Sequence, residues 1–147
     1  MLFRSYYWLG MACAALKDKA AARKYWLAAA TFRGDFQQMS TRSYSEMTYY
    51  SALAWGCLGQ TRRMKKLLRN LLDHARQLGK TTAKIDYFAT SLPAMLLFDD
   101  DLQFRQETTA LFLQAQAHLG LGKKGAAKRL LAAVLQRDPN HAPALDL

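Results

Sequence analysis

With two cysteines, three prolines and eight glycines in 147 residues, the chain has few means of cross-linking itself or breaking its secondary structure. Cys13 and Cys57 have neither a second cysteine nor a histidine at ligand spacing, which excludes a zinc motif and a disulfide framework. Both lie in apolar helical runs and are expected to be reduced core residues, as in a cytoplasmic protein. Long uncharged runs are missing too. The one that follows Arg4 ends at Lys17, short of the about 20 residues needed to cross a bilayer, so no transmembrane segment is expected. That run has the outline of a secretion signal, but it is rich in Tyr and Trp rather than Leu, and its apolar residues serve a repeat described below. Alternating β-branched runs are almost absent, whereas Ala, Leu, Lys, Arg and Gln are plentiful. With 51% hydrophobic residues, this composition predicts one packed, all-α domain.

The usual marks of catalysis are also absent. No string matches a Walker loop, a zinc HExxH, a nucleophile elbow or a Cys/His metal cluster. The string Gly120-Leu121-Gly122-Lys123-Lys124-Gly125 has dinucleotide-loop spacing, but it follows a helix rather than a strand and reads as a helix–helix turn. His74, His118 and His141 fall on separate elements, and His118, between apolar neighbours, reads as a satisfied core or groove residue rather than a base. Asp99, Asp100 and Asp101 read as a solvated loop or helix start rather than a cation site. The expectation is no catalytic residue, no metal and no cofactor.

What the sequence has is repetition. From Leu111 to Pro139, apolar or small residues at Leu111, Ala115, Leu119, Ala127, Leu130, Leu131, Val134 and Leu135 recur at helical spacing, interrupted at Gly120 and Gly122 and ended by Asp138-Pro139. This is a helical hairpin over about 108–141. A second copy lies at about 3–33, with Tyr6, Leu9-Gly10 and Ala12, a turn over Leu16 to Lys19, then Ala22, Trp26 and Ala29. A third lies at about 45–79, turning at Gly59-Gln60 and capped at its end by Gly79. In the third copy Met64 takes the place of a small residue and is expected to splay the hairpin. The polar stretch from Thr31 to Glu46 reads as a loop with a helix cap, and 80–105, divided by Pro93, as a degenerate fourth pair.

These residues resemble the tetratricopeptide repeat, a helix pair of about 34 residues that stacks on copies of itself. Ala117, Ala127 and Pro139 match its small, small and proline positions, while Ala115, His118 and Val134 depart from it. Nearly the whole chain, and above all the segment from Ile85 to Leu102, resembles, further, the C-terminal helical region of a family of long bacterial proteins of unknown function in which a β-rich, carbohydrate-enzyme-like part precedes tetratricopeptide repeats. The first resemblance implies a right-handed α-α superhelix of stacked hairpins whose first helices line a concave groove that binds a protein or peptide segment. Carried over position by position, the groove candidates are Arg4, Tyr7 and Met11, then Glu46, Tyr49 and Leu53, then Phe112 and Gln116.

Charge offers an alternative. The net charge of +10 divides as +5 over residues 1–42, −1 over 43–61, +6 over 62–80 and zero over 81–147. Arg62, Arg63, Lys66 and Arg69 oppose the leucine stripe of their helix and make a basic surface that could attract nucleic acid or another polyanion. No aromatic residue interleaves with these charges along that helix, which argues against base stacking and puts nucleic acid second. The first helix, with Leu2, Phe3, Tyr6, Trp8 and Leu9, presents an apolar face suited to self-association into a homo-oligomer.

Overall fold

The computed structural model describes residues 2–31, 44–83 and 99–147, the side chains of residues 2, 3 and 99–101 excepted. Seven helices are present among them: α1 (Leu2–Ala15), α2 (Lys19–Thr31), α3 (Glu46–Cys57), α4 (Thr61–Lys80), α5 (Asp99–Gly120), α6 (Lys124–Arg137) and α7 (Ala142–Leu145). The described residues contain no strand. Most of the loop expected over 31–46, and Pro93 with most of the degenerate pair expected over 80–105, lie outside the described residues. At the edges of that pair, Lys80 closes α4 and residues 99–105 belong to α5, which packs directly on α4. Asp99 is a helix start, as its acidic run suggests.

The three hairpins α1/α2, α3/α4 and α5/α6 share one turn. At the end of each first helix a backbone N–H reaches back to the carbonyl five residues earlier: Asp18 to Cys13 at 2.9 Å, Gln60 to Trp55 at 2.9 Å and Lys123 to His118 at 2.8 Å. The residue between is left-handed in all three, Lys17 at φ 63°, Gly59 at 79° and Gly122 at 82°. This is the Schellman ending of a helix, and it satisfies carbonyls the helix itself cannot. Glycine adopts that conformation freely, whereas Lys17 is strained in it. The first turn gains a compensating contact, since the Asp18 side chain accepts from the N–H of Ala21 in α2.

Close approach within and between hairpins depends on small residues. Ala22 on α2 and Ala127 on α6 are fully buried. A Cβ on Gly10 would lie 2.4 Å from the indole of Trp26, so the ring occupies the space a side chain would take. Met64 is accommodated in the same way, with its sulfur 2.6 Å from where a Cβ of Gly56 would stand. The glycine in α3 therefore makes room for the larger residue that the sequence placed at this crossing. Gly79 does not cap α4, contrary to expectation. The helix continues through Lys80 and ends on Thr81, whose N–H donates to the Gln77 carbonyl. Gln106 of α5 completes that ending by donating to the carbonyls of Leu78 and Thr81 at 3.1 and 2.8 Å.

One core runs through the stack, from Tyr7 and Ala29 through Tyr49, Tyr50, Leu68 and Leu71 to Leu113 and Ala117. A smaller one joins Phe112, Val134 and Ala144 at the C-terminal end. The cysteines belong to neither. Cys13 is half-buried and Cys57 exposed, both as free thiols, so neither is the core residue its apolar run suggests. Cys57 lies at the edge of an open cleft of about 520 Å³ with Lys17, Arg23, Trp26 and Leu58.

Candidate functional site

The first helices form one layer and the second helices another. α1 touches α3, and α3 touches α5, whereas α2 and α4, and α4 and α6, scarcely meet. A stack whose first helices stand closer together than its second helices curves towards the first, so α1, α3 and α5 line its inner side.

On α1, Arg4 is half-exposed and pairs with Asp146 at 2.9 Å, its guanidinium 5.7 Å from the centre of the Tyr50 ring. The hydrogen bond to Asp146 raises its pKa further and keeps it charged. Tyr7 is buried, edge-on to Trp8 at 5.1 Å and tilted against Tyr50 at 5.8 Å. Met11 is exposed. On α3, Glu46 is exposed at the first turn, behind a capping box made by Ser45 and Thr48. Tyr49 is buried, and that burial, with Tyr50 and Tyr7 alongside, pushes its hydroxyl up to about 12. Leu53 is half-buried. On α5, Phe112 is 2% and Gln116 1% exposed. Gln116 donates to the Glu46 carbonyl at 3.2 Å and so ties α5 to the start of α3, while its own Oε1 has no partner.

Thus Tyr7 and Tyr49 are joined in one cluster with Tyr50, and Phe112 is assigned to the other. Arg4, Met11, Glu46 and Leu53 retain exposed surface, whereas Tyr7, Tyr49, Phe112 and Gln116 form the floor beneath them.

Four residues absent from the sequence-derived set stand against these positions: Tyr50, His141, Asp146 and Leu147. His141 packs on Phe112 with ring centres 5.0 Å apart, and Leu147 packs against both clusters. Tyr50 was legible as an aromatic on a first helix. The other three act only because the chain's last residues fold back across the inner layer, which no local pattern records.

The basic residues Arg62, Arg63, Lys66 and Arg69 are all exposed, and they stand on α4, in the outer layer. Arg63 stacks over the Trp55 ring at 4.7 Å, so an aromatic does meet this basic face, contributed by α3 rather than by α4 itself. His118 is half-buried near the end of α5. Burial, then the charges of Lys123 and Arg76, lower its pKa and favour the neutral ring, and its Nδ1 has no hydrogen-bond partner, so it is not the fully satisfied histidine expected. Among the described residues no three His, Cys, Asp or Glu side chains converge as metal ligands, and no helix is long and apolar enough to cross a membrane.

A family model described as the tetratricopeptide repeat matches residues 3–35 and 108–141. No solved structure gives a significant match. The two matched segments coincide with the hairpins α1/α2 and α5/α6, and the α3/α4 hairpin between them has the same turn hydrogen bonds and the same left-handed residue. Two segments of the chain thus match the tetratricopeptide repeat, and they lie in an all-helical stack of three hairpins.

Proposed function

We propose that this chain is a non-catalytic scaffold that binds a protein or peptide segment along the inner face of α1, α3 and α5. Tetratricopeptide repeats generally mediate protein–protein interaction, and the observation that carries the reading is the layer of first helices presenting Arg4, Met11, Glu46 and Leu53 over a buried aromatic floor. A rigid floor with a few exposed contacts suits recognition, because the groups that shape the groove lose no freedom when a partner arrives. The resemblance of nearly the whole chain to the C-terminal helical region of long bacterial proteins supports the same scaffold role, and the free thiols of Cys13 and Cys57 suit a cytoplasmic setting. Trp8, Leu9 and Met11, exposed together on α1, support a second use of the same helix as the contact between two copies.

The test is a fluorescent peptide selected against the full chain from a random library, titrated by anisotropy. Met11→Glu and Leu53→Glu are expected to weaken binding about tenfold each, equivalent to about 1.4 kcal/mol. Affinity is expected to change little between low and high salt. A steep fall with salt, together with loss on charge reversal of Arg62 and Arg63 but not of Leu53, would move the site to the basic outer face and overturn the proposal. Sedimentation at rising concentration tests self-association: a mass that stays monomeric throughout removes it.

A further inference from the structure

The residues beyond α6 return across the inner layer. Ala144 is buried with Phe112 and Val134, Leu147 packs against both cores, and Asp146 reaches Arg4, 142 positions away in sequence, at 2.9 Å. Contact is therefore made with α5 and then α1, and Tyr50 on α3 lies within the electrostatic reach of Asp146. The segment thus lies over the floor that a partner would use.

Apart from the packing of Ala144 and Leu147, little holds it there. The Arg4 and Asp146 side chains are 39% and 53% exposed, and a solvent-exposed ion pair contributes little to stability. Leu145 points away, at 62% exposed. α7 is one turn long, with His141 Nδ1 accepting from the Ala144 N–H at 3.2 Å, and a helix of one turn has almost no stability of its own. Such a strap exchanges readily with any segment that offers the same groups.

We propose that residues 144–147 cover this scaffold's own groove, and that its partner is a protein segment of matching chemistry, an acidic side chain for Arg4 followed by an aliphatic one for the seat of Leu147. The inference rests on the groove reading above and adds to it the identity of the ligand and the cause of its restraint. A competing segment breaks one Arg–carboxylate pair and makes another, so its apparent affinity is set by how often the strap is open. Opening the strap without touching the floor tightens binding.

The probe is a fluorescein-labelled peptide with the sequence of residues 141–147, HAPALDL, amidated at its end and titrated against the full chain by anisotropy. The double variant Asp146→Lys with Leu147→Ala is expected to bind it about tenfold or more tightly than the unaltered chain, and adding Arg4→Ala is expected to abolish the gain. Helix content by circular dichroism confirms that each variant is folded. Should the double variant unfold, Asp146→Asn releases the ion pair alone and is expected to give a smaller gain of the same sign. Equal binding by the unaltered and released chains would overturn the strap while leaving the groove intact. Binding by neither, or a gain that survives loss of Arg4, would overturn the ligand assignment. If, in addition, the library yields no peptide whose binding Met11→Glu or Leu53→Glu weakens, the groove reading falls with it.

Discussion

The first and last hairpins match the same repeat, yet the positions 105 residues apart are treated differently. Tyr7 corresponds to Phe112, Met11 to Gln116, Gly10 to Ala115 and Trp26 to Leu131. Tyr7 and Phe112 are both buried, but Leu113 and Gln116 are closed over, whereas their counterparts Trp8 and Met11 are 53% and 39% exposed. The last hairpin is covered by α7 and by Leu147, while among the described residues nothing lies over the outer face of α1. One motif therefore yields a sealed layer or an open one according to what packs beyond it. Inside the first hairpin the partners are balanced by volume, with glycine opposite tryptophan, and the equivalent positions of the last carry alanine and leucine. That balance is a property of pairs, and neither residue alone records it.

The comparison is broken most severely at the sealed end. Phe112→Ala is expected to cost about 3–5 kcal/mol in urea unfolding, because a buried ring in a small cluster leaves a cavity that little can refill. A cost near 1 kcal/mol would show that α7 and Leu147 do not seal the layer. Next comes the volume balance. Gly10→Ala is expected to destabilise by about 1–3 kcal/mol through collision with the Trp26 indole. Adding Trp26→Leu should recover most of that loss, since it removes the ring that the new methyl would meet and gives the residues that the equivalent positions of the last hairpin carry. Full additivity would refute the account. The shared turn gives a smaller effect. Lys17→Gly is expected to stabilise by about 1 kcal/mol and Gly122→Lys to destabilise by a similar amount, measured by thermal unfolding.

Tyr49 supplies a pH dependence that sharpens the contrast between floor and rim. Its hydroxyl is raised from 10.0 to about 12 in the folded chain, so below pH 10 both states keep the proton and stability is unaffected. Between 10 and 12 the unfolded chain ionises first and stability falls. Tyr49→Phe is expected to lose less stability than the unaltered chain across that window, with tyrosinate absorbance reporting the late ionisation. The smallest effect belongs to the open face: Trp8→Ser is expected to change stability by no more than about 0.5 kcal/mol.

The hairpins could be read directly because their signals are local. Leu58-Gly59, Leu119-Gly120 and Asp138-Pro139 act within a turn or two of themselves, and α3, α5 and α6 end beside them, whereas Leu9-Gly10 lies inside α1. Gly79 misled for the same reason: a glycine near a helix end implies a stop, but Gln106 from α5 supplies the carbonyl partners and the helix runs past it. The eight groove candidates were chosen by position in the repeat, which places them all on first helices. Position does not say which of them a neighbouring element covers, and four are buried. Likewise the basic residues of α4 are as exposed as their periodicity implies, while the indole beneath Arg63 comes from a different helix.

By itself the sequence determined the unit, a helix pair with a left-handed turn and a close crossing, because helix periodicity, capping and steric room are settled between residues near one another in the chain. The tertiary structure alone decided the surface, joining Arg4 to Asp146 and seating Leu147 between two cores. Contacts across more than a hundred residues depend on how the stacked pairs curve, and curvature is the sum of many packings that no short stretch of sequence contains.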